Sequence, residues 1–334
     1  MNIYDIAEMA GVSIATVSRV MSGSDKVSDK TRKKVLSVIE ESGYTPNVFA
    51  QGLGVGTIHS IGILVPNISD LYMAEAVSFL ENELQKNGYN CLLGCSGFEL
   101  SGKESHLHML LDKRVDALFL VGSTYAGSGK SDAETDYIRA AAAQVPVVVI
   151  NGAVKGENVH SAVCGDRQAM YDVTSSLIQR GRKRILFLTD SHSYSAQEKT
   201  AGYLSALEEA GIPVREDLMM HVPNRIHAVR DILLSLPDPD FDAVVATDDG
   251  IAVGAVKFAA RTGRSIPQDL QIVGYNNSSL SVACEPELTS VDNRTEDICR
   301  GAVTTLLRLL SEKEPMPPSM VVPCRIVRRR TTDF

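Results

Sequence analysis

Along IYDIAEMA, residues 3–10, the apolar positions Ile3, Ile6, Ala7 and Ala10 fall at spacings of three, one and three. That is one face of a short helix, and Gly11 ends it. The next stretch, SIATVSRVMSG, repeats the geometry with Val17, Val20 and Met21 behind a Ser13 cap, leaving Ile14, Ala15, Ser18 and Arg19 on the opposite face. A third helix is predicted in SDKTRKKVLSVIEES. Ser28 caps it, Val35, Leu36 and Ile39 point inward, Arg32, Lys33 and Lys34 face solvent, and Gly43 stops it. From Ile61 the pattern changes. Apolar runs (IGILVPN, NCLLGCS, VDALFLVG, VPVVVIN, HSAVCGD, RILFLTD, FDAVVATDD, LQIVGYNN) alternate with helical stretches, which predicts parallel sheets with helices on both faces. These runs close on Asn67, Ser96, Gly122, Asn151, Asp166, Asp190, Asp248 and Asn276. Ligands of such sheets sit beyond the strand C-termini, so these ends form a ring of hydrogen-bonding groups, while any one of them taken singly also reads as an ordinary turn former.

At 334 residues the chain is long enough for two or three domains, and 44% hydrophobic with 22% charged residues is an ordinary globular balance. No apolar run nears the roughly 20 residues of a membrane helix, and MNIYDIAEMA lacks the basic, apolar character of a signal peptide, so a cytoplasmic protein with no membrane partner is expected. The six cysteines form no CxxC pair and mostly sit in apolar runs; they read as buried thiols, with no metal site. A net charge of −8 argues at first sight against nucleic acid. Its distribution reverses that. Residues 1–60 carry six basic and six acidic residues and are neutral, with all six basic ones between Arg19 and Lys34. A local cationic face on a neutral module suits a nucleic-acid partner.

Two short helices joined through a Gly turn describe a helix-turn-helix, whose second helix enters a major groove. Arg19 can present a bidentate fork to guanine, Ser13, Thr16 and Ser18 suit phosphate oxygens, and Ile14 and Ala15 suit a thymine methyl. By periodicity alone, a three-helix subdomain that binds protein, or nothing, stays open.

The runs IYDIAEMAGVSIATVSRVMSG, VSDKTRKKV and ESGYTPNVFAQGL resemble the N-terminal headpiece of the LacI family of bacterial transcription regulators, nearly residue for residue over positions 3–53. The resemblance implies an all-α helix-turn-helix headpiece (1–45), a hinge helix and linker (46–60), and an α/β core of two doubly wound parallel-sheet subdomains, like periplasmic sugar-binding proteins. The core divides into 61–161 plus 291–319 and 162–290 plus 320–334, the chain crossing near 162, 290 and 320. It adds Tyr4, Ser28, Thr31 and Tyr44 to the DNA contacts, then Asn47, Ala50 and Gln51 in the hinge, where Leu53 wedges into the minor groove. In the cleft it implies Asn67, Tyr72, Asn151, Asp190, Ser195, Lys199, Asp248, Asn276 and Asn293 as contacts for a small sugar-like effector. The implied function is a sequence-specific regulator, expected to be a repressor, binding a palindromic operator on double-stranded DNA as a homodimer, with no cofactor.

The chain departs from the family in two ways. Gly54, Thr57 and His59 stand where relatives often carry Arg or Lys, which suggests fewer phosphate contacts. Lys199 and Asn276 stand where sugar binders usually have Arg and Asp. The lost carboxylate at 276, with a cation kept at 199, suggests an anionic effector, a sugar acid or sugar phosphate.

GSTYAGSGKSD, residues 122–132, nearly spells a phosphate-binding loop, but Thr124 stands where the first glycine is required. A place at the rim of the effector pocket is the better expectation than ATP binding. Rival readings are a free sugar-binding protein, which would need a signal peptide and no headpiece, and a sugar-metabolising enzyme. There is no Gly-x-Ser-x-Gly elbow, no HExxH and no Cys–His pairing at ligand spacing, so no catalytic residue is named.

Overall fold

The computed structural model describes residues 1–21, 24–44, 57–128, 131–237, 239–312 and 317–334. The chain divides into two compact units: residues 1–60 with 114–116, and residues 61–113 with 117–334.

In the first unit α1 (Ile3–Ala10), α2 (Ile14–Met21) and α3 (Asp29–Ser42) enclose a small core of Ile6, Ala7, Ala10, Val17, Val20 and Val35. Each boundary has a local cause. Asn2 and Asp5 form a reciprocal capping box on α1, and Gly11 leaves it in the left-handed region at φ 61°. Ser13 Oγ accepts the Thr16 N–H at 3.2 Å, and Ser28 Oγ accepts the Thr31 N–H at 3.4 Å. Two expectations fail on α3. Leu36 is 48% exposed, because α1 and α2 cover only the Val35 side of the helix. Arg32 turns partly inward and donates from Nη2 to the Ser24 carbonyl at 2.6 Å, satisfying the turn before α3.

The second unit contains two six-stranded sheets. The first is built from β1 (Ser60–Val65), β2 (Asn90–Cys95), β3 (Ala117–Val121), β4 (Val147–Ile150), β5 (Val159–Cys164) and β11 (Ser319–Val322), in the order β11-β5-β4-β3-β1-β2. The second contains β6 (Ile185–Thr189), β7 (Met219–His221), β8 (Ala243–Ala246), β9 (Gln271–Tyr275), β10 (Thr289–Asp292) and β12 (Arg325–Val327), in the order β12-β10-β9-β8-β6-β7. β10 and β12 are antiparallel, a departure from the wholly parallel sheet expected, since the chain reaches that edge directly from the other lobe.

Helices fill the faces. α4 (Leu71–Lys86) and α12 (Thr295–Glu312) bury Ala76, Leu80, Leu84, Ile298, Ala302 and Leu306 on the first sheet; α5 (Leu100–Asp112) and α6 (Asp136–Ala142) also belong to this lobe. On the second sheet α7 (Asp166–Gln179) and α8 (Tyr194–Glu209) cover one face. The opposite face is covered by α9 (Ile226–Leu234) and α10 (Asp249–Thr262), with the short α11 (Ser279–Ala283) beside them. The chain changes sheet after Cys164, Asp292 and Val322; β5 and β11 stay paired to their ends, with Cys164 opposite Val322.

Candidate functional site

The exposed face of α2 is the first candidate surface. Ser13, Ile14, Ala15, Ser18 and Arg19 are exposed, while Thr16 is half-buried with its Oγ1 2.9 Å from Ser13 Oγ. Tyr4 is 67% exposed. Ser28 is exposed and Thr31 half-buried, their hydroxyls 2.9 Å apart, and Tyr44 packs partly against the small core. Asn47, Ala50, Gln51 and Leu53 lie outside the described residues.

The second candidate is a cavity of about 800 Å³ at the C-terminal ends of the strands of both sheets. Asn67, Tyr72, Asn151, Asp190, Ser195, Lys199, Asp248 and Asn276 all line it. Asn293, expected there, does not; it is buried behind Asn276 and donates to Asn276 Oδ1 at 3.0 Å.

Local geometry sets each lining side chain. Asp70 caps α4 by accepting the Met73 N–H at 3.0 Å, which places Tyr72 in the first turn. Asn151 and Asn276 sit at φ 62° and 91°, a region where asparagine is among the few non-glycine residues tolerated. Ser193 caps α8 and sets Ser195 and Lys199 over the cleft. Lys199 is buried: its ammonium donates to the Thr247 carbonyl at 3.1 Å and lies 3.7 Å from the Tyr275 ring centroid. Ser195 donates to Asp166 at 2.5 Å.

Three carboxylates, Asp70, Asp190 and Asp248, share the cavity. Burial raises the Asp70 carboxyl above its ordinary range, and burial, with Asp249, Asp70 and Asp190 nearby, pushes Asp248 up to about 7. Asp248 accepts the Gly250 N–H at 2.7 Å and Asn276 Nδ2–H at 2.9 Å. A directed row follows: Thr295 Oγ1 donates to Asn293, Asn293 to Asn276, and Asn276 to Asp248. This explains the departure at position 276, because a carboxylate there would face Asp248 with nothing to donate.

The Asn276→Asp chain is therefore expected to be about 1–3 kcal/mol less stable at pH 8, with a smaller deficit at pH 5. The sign follows from proton uptake. A buried carboxyl whose folded pKa lies above its unfolded value keeps its proton in the folded state, so stability falls as pH rises from about 4 through 7. Adding a second carboxylate steepens that fall, and urea unfolding at the two pH values measures it. An equal deficit at both would refute the facing-carboxylate account.

Buried Tyr72 Oη, Thr124 Oγ1 and Asn151 Oδ1 have no hydrogen-bond partner among the described residues. Buried polar atoms are rarely left so, and these three line one cavity, which marks it as built for a hydrogen-bonding ligand.

The near-phosphate loop also reaches this cavity, through Gly122, Ser123 and Thr124. Ser123 Oγ donates to Ser193 Oγ at 2.9 Å, and Gln197 of α8 donates to the Ser128 carbonyl at 2.6 Å, so the loop ties the two lobes together across the cleft. Gly129 and Lys130 lie outside the described residues. Sequence reasoning missed Asp70, Phe98, Ser191, Ser193, Asn224, His227, Thr247 and Ser278, which also line the cavity. For Asp70 and Ser193 the capping pattern was available; the rest carry no local signal.

A capped helix-turn-helix unit, together with a two-lobed α/β body holding a polar cleft, defines the class of DNA-binding transcriptional regulators. The family described as bacterial regulatory proteins, lacI family, matches residues 2–47, and the periplasmic binding protein-like domain matches residues 174–332. An HTH-type transcriptional regulator of Lachnoclostridium phytofermentans is 46% identical over 336 residues, covering 100% of both chains. Among solved structures, the transcriptional regulator CelR–cellobiose complex is 26% identical with a TM-score of 0.71, and covers 99% of each chain. The lac repressor dimer bound to operator and the anti-inducer ONPF shares the fold at a TM-score of 0.86 and 23% identity, again over 99% of each chain. The chain belongs to the lacI family of bacterial regulatory proteins. Like these relatives it is a DNA-binding transcriptional regulator, not an enzyme.

Proposed function

We propose that this regulator represses transcription in the cytoplasm by binding a palindromic operator as a homodimer, with a neutral, hydroxyl-rich sugar in the cleft controlling its affinity. The observation that carries the ligand reading is the cavity itself: three carboxylates and the unpartnered Tyr72 Oη and Asn151 Oδ1 surround it. The three carboxylates, when ionised, only accept, and the cation at Lys199 is already held by a carbonyl and a ring face. Such a site suits a ligand that donates many hydrogen bonds. It disfavours the sugar acid or phosphate that the loss of a carboxylate at 276 suggested, since Asn276 there completes the row to Asp248. The CelR complex with cellobiose supports a neutral saccharide. The lac repressor dimer on its operator supports the paired arrangement on DNA, whose two-fold symmetry a palindrome matches.

Tyr72→Phe tests the ligand reading through two opposite signs. Removing an unsatisfied buried hydroxyl is expected to stabilise the unliganded protein by about 1 kcal/mol, while ligand affinity falls roughly tenfold. Calorimetry with cellobiose, glucose and glucose 6-phosphate, paired with thermal unfolding, provides both readouts. Tight binding of the phosphate ester alone, or unchanged affinity in the variant, would overturn the proposal.

A further inference from the structure

We infer that the crossing between the two core lobes carries a site for one divalent transition-metal ion of the zinc type, formed by Cys164, Asp166 and Cys324. Cys164 ends β5, Asp166 opens α7, and Cys324 stands between β11 and β12, so the ligands come from two of the three segments that join the lobes. One ligand atom from each residue lies within 4.8 Å of the others. Around a tetrahedral ion with bonds of about 2.0–2.3 Å, ligand atoms stand roughly 3.5–3.8 Å apart, so a small closure completes the set. Two sulfurs and one carboxylate select a zinc-like ion over calcium or magnesium.

The surroundings are those of a ligand set. Ser195 donates to Asp166 Oδ2 at 2.5 Å and Tyr275 to Asp166 Oδ1 at 2.6 Å, which fixes the carboxylate and leaves each oxygen a second lone pair. The two thiols hydrogen-bond to each other, and their other contacts are long: Cys164 Sγ is 3.8 Å from the Asn293 carbonyl and Cys324 Sγ 3.5 Å from Tyr275 Oη. On binding, both thiols lose their protons to solvent. Two thiolates, a carboxylate and a dication leave one negative charge, and the Lys199 ammonium over the Tyr275 ring lies beside them to offset it. Cys164 and Asp166 also line a surface cavity of about 440 Å³ with Tyr171 and Tyr194, which gives an entry path and room for a water as fourth ligand. An ion there would join two crossing segments and restrict motion of one lobe against the other.

The test is a titration of the reduced full-length chain with cobalt(II). One equivalent per chain is expected, with thiolate-to-cobalt charge-transfer absorption and the visible bands of a tetrahedral site, both removed by zinc. Cys324→Ser should weaken cobalt binding at least tenfold, and Tyr275→Phe, which removes a hydrogen bond behind the ligand, roughly 10- to 100-fold. Cys95→Ser, at an exposed cysteine remote from the set, should change nothing. Absence of sulfur-to-cobalt absorption in the unaltered chain, or unchanged cobalt affinity in Cys324→Ser, would overturn the site. If Cys164→Ser fails to fold, Cys324→Ser, at a half-buried position, decides the matter alone.

Discussion

Arg19→Ala is expected to lower affinity for a cognate duplex, selected by the unaltered protein from random sequences, by about 10- to 100-fold. Arg19 is exposed near the end of α2, on the face opposite the buried Val17 and Val20. A bidentate fork onto a guanine edge contributes about 1–3 kcal/mol of discrimination, and its loss should spare binding to random duplex. Alanine is the best helix former, so α2 should persist and circular dichroism should not change. The salt dependence separates base from phosphate contact. Removing a base contact leaves the slope of log affinity against log salt unchanged, whereas removing a phosphate contact makes it shallower by about 0.9. An equal loss on cognate and random duplexes would show that Arg19 does not read sequence. The neutral headpiece should also give an overall slope well short of about −10.

Gly202→Ala is expected to cost about 3 kcal/mol or more in urea unfolding, an unusually large effect for one methyl group. Gly202 lies in α8 where it crosses α7, and a methyl there would clash with the Arg167 carbonyl oxygen and stand 2.9 Å from the Tyr171 nitrogen. These neighbours are backbone atoms of a regular helix and cannot rotate away, so the helices must separate. Their shared core includes Met170, Val173, Leu177, Tyr203 and Leu207. Because α8 also carries Ser195 and Lys199, cleft ligand affinity should fall with stability. A loss under about 1 kcal/mol would mean that the two helices have slack between them.

The headpiece was legible in the sequence because its signals are local. Ser13, Ser28, Gly11 and Gly43 act on their own helix ends, and spacings of three and four name the buried face. Leu36 was misplaced for a reason of the same kind. Adjacent apolar residues point about 100° apart on a helix, and only the packing partners decide which is covered. The cleft was legible at its strand ends, since parallel sheets present them together. Asn293 failed as a lining residue because one more step along the chain turns it behind Asn276. The lobe-tying contacts of Ser123 and Gln197, and the meeting of Cys164 with Cys324, bring together residues distant in sequence and leave no pattern in either stretch.

The hydrogen-bond row from Thr295 to Asp248 constrains more than the four groups in it. An ionised carboxylate can only accept, so each amide before it is forced into a single orientation, and turning one over means turning over the whole sequence of them. Burial, which pushes the Asp248 carboxyl up to about 7, places the loss of that constraint on protonation near neutral pH. The charge at the wall of the cleft thus sets the side-chain polarity at the start of α12, on the far side of the crossing.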